Sequence, residues 1–214
     1  MESELEFIAK QAGIGLNPVF SDDLVQAAEV IRNGGVVVCP AEGVYGLSCN
    51  ALNEEAVARV VRIKERDSAK GLITIASSLH DLEQVADFKD MSCKGRTLIN
   101  KLWPGPYTFV VPCANSFRGS LLTGGRGSVA VRITAFETLA NLVRLSGVPL
   151  ISTSANLSGE QAVSSFDLLS PVILKRVDFV LTLPCGGLSG STSVYDTLSD
   201  VLLRKGPQWP EDLS

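Results

Sequence analysis

The sequence predicts a single α/β domain: a twisted, mixed β-sheet with flanking helices. Helical patterns alternate with short apolar runs along most of the chain, and three strand patterns follow one another near its end. Alternation favours parallel strands joined by helices, whereas consecutive strands favour antiparallel pairing. With 214 residues, 45% of them hydrophobic, the chain can form one sizeable core. We see no internal repeat, and we expect a weakly determined lead-in over residues 1–20 and one domain over 21–214.

The first elements are predicted by their boundary residues. Ser21, Asp22 and Asp23 are typical of a helix start, and the run 33–35 (Asn-Gly-Gly) is typical of a helix end. Residues 36–39 form a wholly apolar strand that ends at Pro40, the kind buried on both faces. Asn53 then caps a helix whose C-terminal end carries cations over 62–66, where they suit the helix dipole.

Later boundaries come from capping serines and from breaker residues. The run 103–106 (Trp-Pro-Gly-Pro) ends one helix and Gly147 closes another. Further helices are predicted over residues 78–86, 93–102, 135–145 and, capped by Ser164 or Ser165, up to about residue 176. Further strands are predicted over residues 72–76, 107–111, 128–133, 148–152, 178–183, 192–196 and 201–204.

Composition excludes several classes of function. The net charge is −4, so any contact with nucleic acid should be local rather than surface-wide. The five cysteines form no C-x-x-C pair and His80 is the single histidine, which disfavours a zinc site and Ser-His-Asp hydrolysis. The apolar runs are strand-sized and no secretory pattern opens the chain, so we expect a cytoplasmic protein without a membrane segment. The common nucleotide-binding glycine motifs are also absent from the sequence.

Lys64, Arg66 and Lys70 form a cationic segment on an acidic protein. Side chains two apart diverge on a regular helix, so Lys64 and Arg66 can converge only if the helix unwinds near Arg66. Asp67 and Ser68 favour such a turn. From spacing alone, a phosphate clamp and a solvated helix end both remain open.

Two further polar features suggest a ligand site. The run 152–159 (Ser-Thr-Ser-Ala-Asn-Leu-Ser-Gly) is predicted to follow an apolar strand, and ligands favour the carboxyl edge of such strands. A simple polar turn is the alternative. Arg132 ends a predicted strand and Arg204 repeats this pattern, so each suits a carboxylate or phosphate, or else a surface ion pair.

Taken together and in order, these segments resemble the YrdC family, and within it threonylcarbamoyl-AMP synthases of the TsaC type. The K-x-R followed by S-x-N pattern is the family's signature. The matching segments are residues 40–47 (Pro-Ala-Glu-Gly-Val-Tyr-Gly-Leu), 64–66 (Lys-Glu-Arg), 70–73 (Lys-Gly-Leu-Ile), 103–109 (Trp-Pro-Gly-Pro-Tyr-Thr-Phe), 129–132 (Val-Ala-Val-Arg) and 152–159.

The resemblance implies a YrdC-like fold with a central concave, locally positive cavity. It also implies a nucleotidyltransferase reaction in which L-threonine, bicarbonate or CO2, and ATP give threonylcarbamoyl-AMP and pyrophosphate. Mg²⁺ is expected to enter with ATP, held mainly by the phosphates and water. The expected partners are the proteins that transfer the threonylcarbamoyl group to a tRNA adenosine beside the anticodon, with tRNA itself as a further one.

The family's site residues carry over by position. The expected ATP contacts are Lys64, Arg66, Lys70, Ser128, Ser154, Asn156 and Arg204. The expected threonine contacts are Arg132, Ser152 and Thr192. No catalytic group beyond these binding residues and no metal ligand is implied.

The chain departs from the family at Ala41 and Gly43, where threonine is common, and we expect any lid to come from within this domain. Two alternatives share the predicted fold. One is an RNA-binding or ribosome-maturation protein that uses the cations on a sugar-phosphate backbone. The other is a carbamoyl-transfer relative that acts on another amine.

Overall fold

The computed structural model describes residues 18–213, which form one ten-stranded mixed sheet with helices on both faces. In spatial order the strands run β1-β8-β2-β3-β7-β4-β6-β5-β9-β10. The strands are β1 Val19–Ser21, β2 Val37–Pro40, β3 Tyr45–Ser48, β4 Ile73–Ala76, β5 Tyr107–Pro112, β6 Ser128–Ile133, β7 Leu150–Ser154, β8 Phe179–Leu181, β9 Ser193–Asp196 and β10 Val201–Arg204. The helices are α1 Leu24–Arg32, α2 Glu54–Ile63, α3 Leu79–Leu82, α4 Cys93–Leu102, α5 Glu137–Ser146 and α6 Pro171–Leu174.

The predicted fold class, a mixed α/β sheet with flanking helices, is confirmed, and several elements coincide with their prediction. Helix α4 has the predicted bounds because Ser92 caps it, accepting from the Gly95 N–H at 2.8 Å, and Pro104 follows its end. Asn53 caps α2 as predicted, accepting from the N–H of Ala56. Strands β6 and β10 also have the predicted bounds. The residues at and near their ends therefore determine the bounds of these elements.

Two strands were not predicted. β1 has three residues and pairs in parallel with β8, so Val19 and Phe20 belong to the sheet. Ser21 ends that strand, and Asp23 rather than Ser21 is the N-cap of α1. β3 is wholly buried, but Gly46 and Ser48 interrupt its apolar pattern. The predicted lead-in lies for the most part outside the described residues.

Two predicted helices are wrong in extent. The helix predicted over residues 78–86 is the single turn α3. The helix predicted from Ser164 or Ser165 to residue 176 is instead a 3-10 turn, Phe166–Leu168, followed by α6. Pro171 explains the second case, because it disfavours a helical residue before it and begins a new helix with Ser170 as the cap.

The core lies on both faces of the sheet, and this explains why residues 36–39, around β2, are all apolar. Val36 and Val38 belong to the hydrophobic cluster that includes helix α2. Val37 and Cys39 belong to the opposite cluster, with residues of α1 and α5. Because successive side chains point to opposite faces, a strand covered on both sides must be apolar throughout.

A long connection, residues 182–192, joins β8 to β9 and is called the strap below. Because β8 and β9 occupy the second and ninth positions of the sheet, the strap must cross from one half of the molecule to the other. It is fixed to the segment after β2: the Gly186 N–H donates to the Ala41 carbonyl at 3.0 Å, and the Leu188 N–H to the Glu42 carbonyl at 2.9 Å. A cavity lies beneath it.

In the part of the chain that the structure describes, none of the helices combines the length and hydropathy that crossing a bilayer requires.

Candidate active site

A cavity of about 500 Å³ lies between the ends of the central strands and the strap. Its wall combines residues from the segment after β2, from β4, β6 and β7, from the strap and from β10. Among the residues predicted as ligand contacts, those on the wall are Arg66, Arg132, Ser152, Ser154, Thr192 and Arg204. The sheet thus brings together side chains that are far apart in the sequence.

The serines reach the cavity from a strand rather than from a loop. The sequence predicted a strand over residues 148–152 with a polar loop after it, but β7 begins and ends two residues later, at Leu150 and Ser154. Ser152 and Ser154 are therefore two apart on a strand and share one face. β7 lies between β3 and β4 at the centre of the sheet, and this places both hydroxyls in the cavity wall.

Lys64 and Arg66 converge because the chain leaves the helix between them. α2 ends at Ile63, and Glu65 has φ of 50°, in the left-handed region. The Lys64 ammonium donates to the carbonyl of Ser154, to that of Asn156 at 2.8 Å and to the Asn156 Oδ1 at 3.3 Å. These acceptors occupy its three protons, so Lys64 fastens the end of β7 to the end of α2.

The Arg66 side chain lies on the cavity wall, and its Nη2 donates to the Gly71 carbonyl at 3.1 Å. Burial lowers the pKa of Arg66, an effect that Asp67 partly opposes. Burial and the Arg66 charge lower the pKa of Lys64 to about 8. Both shifts have one physical cause, positive charge held in a poorly solvated place, which a bound anion would offset.

Arg132 also lies on the cavity wall and is held by a buried carboxylate. Its Nη2 donates to Glu42 Oε2 at 3.0 Å, and the Thr134 hydroxyl donates to Glu42 Oε1 at 2.8 Å. Longer contacts join Arg132 to the hydroxyls of Ser152, at 3.4 Å, and Thr192, at 3.3 Å. Glu42 was not predicted as a site residue, although an acid two residues after a buried strand, inside a segment of family resemblance, was a signal for it.

Arg204 approaches the same point from β10. Its Nε donates to the Thr192 carbonyl at 2.8 Å, and its Nη2 contacts the Thr192 hydroxyl at 3.4 Å. Burial lowers the pKa of Arg204, and the nearby Arg132 charge lowers it further. The two guanidinium groups thus meet at Thr192, which makes this corner of the cavity suitable for an anionic group.

Other residues predicted as nucleotide contacts are not on this wall. Lys70 is exposed at the end of the 3-10 turn Ser68–Lys70, and Arg126 binds its carbonyl at 3.2 Å. Ser128 begins β6, about 13 Å along the strand from Arg132. The Asn156 amide donates to the carbonyls of Leu157 and Glu160, at 2.9 and 2.7 Å, and thereby shapes the turn after β7. Lys70 and Ser128 are therefore not among the residues of the cavity wall.

Both departures from the family pattern lie on the cavity wall. At Gly43 a Cβ atom would come within 2.2 Å of the Leu188 carbonyl oxygen in the strap, so a side chain does not fit there. Ala41 is buried, and its carbonyl accepts the strap's Gly186 N–H. The two positions that lack the family's threonine hydroxyls are therefore positions at which the strap packs against the segment after β2.

Among the residues that the structure describes, the cavity wall provides no cage of metal-binding side chains. Within residues 18–213, no three His, Cys, Asp or Glu side chains are grouped closely enough to hold a metal ion. Glu42 is the one acidic side chain on the wall in this part of the chain, and both its oxygens already accept hydrogen bonds. A divalent ion here would have to rely on ligands that a substrate brings.

A model of the family named Sua5_yciO_yrdC, described as telomere recombination, matches residues 29–206. The chain belongs to the Sua5/YciO/YrdC family. Its relatives in this family include the threonylcarbamoyl-AMP synthase of Xanthomonas campestris, which is 38% identical over 85% of this chain and 97% of the relative. The protein of the same name from Vibrio vulnificus is 35% identical over 86% of this chain and 98% of its own length.

Solved structures of the Sua5/YciO/YrdC family share the fold. A variant of P. abyssi Sua5 superposes with a TM-score of 0.78 at 33% identity, covering 85% of this chain and 55% of that one. P. abyssi Sua5 complexed with L-threonine gives a TM-score of 0.73 at 31% identity, covering 83% of this chain and 53% of its own. The chain therefore spans about half the length of Sua5. E. coli YciO, at 24% identity and a TM-score of 0.69, shares the fold and has a similar length, since the match covers 89% and 95% of the two chains.

Proposed function

We propose that this protein is a threonylcarbamoyl-AMP synthase, which converts L-threonine, bicarbonate and ATP into threonylcarbamoyl-AMP, pyrophosphate and water. The observation that carries the proposal is one cavity with two kinds of subsite. Arg132 lies among the hydroxyls of Ser152 and Thr192, while Arg66 and Ser154 line the same cavity and Lys64 binds the Ser154 carbonyl. The relatives named threonylcarbamoyl-AMP synthase match nearly their whole length to this chain.

The threonine subsite is assigned to Arg132, Ser152 and Thr192. A guanidinium group can bind both oxygens of a carboxylate at once. Neighbouring hydroxyls can donate hydrogen bonds to a small polar side chain or accept them from it. Arg132 is almost fully buried, which strengthens its interaction with an anion that enters the cavity. The solved complex of P. abyssi Sua5 with L-threonine supports the choice of amino acid.

The nucleotide subsite is assigned to Arg66, Ser154 and Arg204, with Lys64 holding the end of strand β7 at Ser154 and Asn156 shaping the turn that follows. In the proposed reaction the N-carboxylate oxygen of threonine attacks the α-phosphorus of ATP, and pyrophosphate leaves. The carbamate is already an anionic nucleophile, so these residues act by alignment and by stabilising negative charge. Lys70 and Ser128, which the family resemblance assigns to the nucleotide, stay predictions.

Mg²⁺ is proposed to enter with ATP and to be bound by the phosphates and water, since the described residues of the wall offer no carboxylate cage. Bound in this way it would neutralise phosphate charge. The product is a reactive mixed anhydride, which requires an acceptor. We therefore propose that proteins which transfer the threonylcarbamoyl group to a tRNA adenosine beside the anticodon act next.

Pyrophosphate release tests the proposal. Purified protein should release pyrophosphate only when ATP, bicarbonate and L-threonine are all present, and a mixture with other amino acids should release much less. Release that does not depend on threonine would overturn the substrate assignment. Salt-sensitive binding of tRNA without ATP, together with no pyrophosphate release, would favour an RNA-binding protein instead.

A matched pair of variants tests the nucleotide subsite. Arg66→Ala should weaken ATP binding by about ten- to a hundredfold, because it removes a charge-assisted contact in a poorly solvated cavity. Arg62→Ala, an exposed cation one turn earlier on α2, should leave the affinity unchanged. Calorimetric titration with ATP measures both. Equal affinities for the two variants would show that Arg66 is not part of the subsite.

A further inference from the structure

A carboxylate in a cavity for phosphates requires an explanation, because it repels the nucleotide. The wall carries Arg66, Arg132 and Arg204, and in the described part of the chain Glu42 is its one acidic side chain. Glu42 is itself almost fully buried, at 6% exposure. A nucleotide needs only cations, whereas a zwitterionic amino acid needs a cation for its carboxylate and an anion for its ammonium group.

The geometry gives Glu42 access to that ammonium group. Glu42 Oε2 lies 3.0 Å from Arg132 Nη2. In an α-amino acid the nitrogen and the carboxylate carbon are about 2.5 Å apart, so an amino acid held by Arg132 places its nitrogen close to Glu42. A carboxylate offers about four acceptor positions, and Arg132 and Thr134 use one on each oxygen. By this count, each oxygen retains one acceptor position for a substrate.

We infer that Glu42 is a catalytic residue that binds the α-ammonium group of the amino acid and accepts its proton before N-carboxylation. The inference rests on the proposed function. In the step, an N–H bond of the ammonium group breaks and its proton passes to a Glu42 oxygen. The freed electron pair forms the N–C bond with bicarbonate, water leaves, and the carbamate remains. The proton returns to solvent after the product departs, so the step needs no further reactant.

Thr134 and Arg132 have defined parts in this arrangement. Their hydrogen bonds fix both carboxylate oxygens, so Glu42 cannot rotate away from the cavity. Arg132 also faces Glu42 across a buried ion pair of 3.0 Å, so the carboxylate lies beside the group that would bind the substrate carboxylate. The same pair therefore recognises both ends of the zwitterion.

The alternative role for Glu42 is only to hold Arg132 in place, and one substitution separates the two roles. In Glu42→Gln the amide oxygen can still accept from Arg132, but the negative charge and the proton acceptor are lost. We expect L-threonine to bind about ten- to a hundredfold more weakly to this variant, as for loss of a charged hydrogen bond. The 2-hydroxy analogue, 2,3-dihydroxybutyrate, lacks the ammonium group and should bind both proteins equally well.

Calorimetric titrations of the two ligands and of ATP decide the matter. Equal weakening of threonine and of its hydroxy analogue would mean that Glu42 only positions Arg132, and would overturn the inference. Unchanged threonine affinity would also overturn it. ATP affinity should not fall in Glu42→Gln, and Glu83→Gln, an exposed acid on the surface, is the matched control.

Turnover distinguishes this inference from the proposed function. If the unaltered protein releases pyrophosphate with threonine but Glu42→Gln does so with the same kcat/KM, only the inference fails. If the unaltered protein shows no threonine-dependent release, the proposed function fails. If the proposed function and the inference both hold, the low-pH limb of the pH profile of kcat/KM for threonine should move to higher pH in Glu42→Gln. The reason is that the free amine must then come from solution. An unshifted limb would exclude proton transfer to Glu42.

Discussion

The Lys64 ammonium shows how the role of a single residue depends on its surroundings. The K-x-R pattern suggests a side chain directed at phosphate, yet the nitrogen of Lys64 is bound by carbonyl oxygens at the end of β7. Arg66, two residues later, lies on the cavity wall. The left-handed backbone at Glu65 separates the two roles, and it follows from the turn rather than from the spacing of the cations.

The depressed pKa of Lys64 predicts that ATP binding is linked to proton uptake. Burial and the Arg66 charge lower the pKa of Lys64 to about 8, and a bound polyphosphate anion should raise this pKa. Between the free and bound pKa values the complex holds more protons, so protons are taken up, and the affinity for ATP falls as the pH rises through 8. Phosphate groups are fully ionised in this range.

Calorimetry at pH 8.5 in two buffers with different ionisation enthalpies measures the uptake. The apparent binding enthalpy should depend on the buffer for the unaltered protein but much less for Lys64→Met. Buffer-independent enthalpies for the unaltered protein would contradict the linkage.

At the scale of elements, the strap determines which residues fit at the edge of the cavity. Its Gly186 and Leu188 N–H groups donate to the carbonyls of Ala41 and Glu42, in the segment that follows β2. Gly43 lies where the two segments approach most closely. The sequence predicted no such contact, since irregular connections carry little periodic pattern.

Strand β7, which carries the serine hydroxyls, lies two residues later in the chain than the sequence predicted. Val148 and Pro149 are apolar and were therefore included in the predicted strand, but strand pairing begins only at Leu150.

Gly43→Ala should lower the free energy of unfolding by about 1–3 kcal/mol, because the added methyl group would overlap a backbone oxygen that cannot rotate away. Thermal unfolding measures the loss as a lower midpoint, and the KM for threonine should rise if the strap is displaced. Gly127→Ala is the control, since its new methyl group meets only the end of the Arg118 side chain, at 3.3 Å. Similar midpoints for the two variants would show that the strap can move aside without lowering the stability of the protein.

At the scale of the whole molecule, one partly buried ion pair joins three elements. Asp178 precedes β8 and accepts from the Val36 N–H at 2.7 Å, just before β2. It also accepts from Arg59 of α2 through both oxygens, at 2.5 and 2.9 Å. The pair thus holds helix α2, and with it the residues Lys64 and Arg66 that follow, close to strands β2 and β8 near one edge of the sheet. The orientation of the cations depends on a contact far from the cavity.

Asp178→Ala should lower the free energy of unfolding by about 2–3 kcal/mol, because Arg59 and the Val36 N–H would lose their acceptor in a poorly solvated place. Glu137→Ala removes an exposed ion pair with Arg144 and should change stability by about 0.5 kcal/mol or less. Urea denaturation of both variants measures the difference. Equal losses would place the Arg59–Asp178 pair among weak surface contacts.

The sequence by itself determined the α/β class, the bounds of elements such as α4 and β6, and the residue types that form the candidate site. These features depend on caps, breakers and periodicity, which act over a few neighbouring residues. Only the tertiary structure decided that Glu42 pairs with Arg132, that Lys64 faces β7, and that Lys70 and Ser128 are not part of the cavity wall. These contacts join residues about 90 positions apart, which meet only because of the order of strands in the sheet. No local pattern encodes that order, because it is selected by the packing of all the elements together.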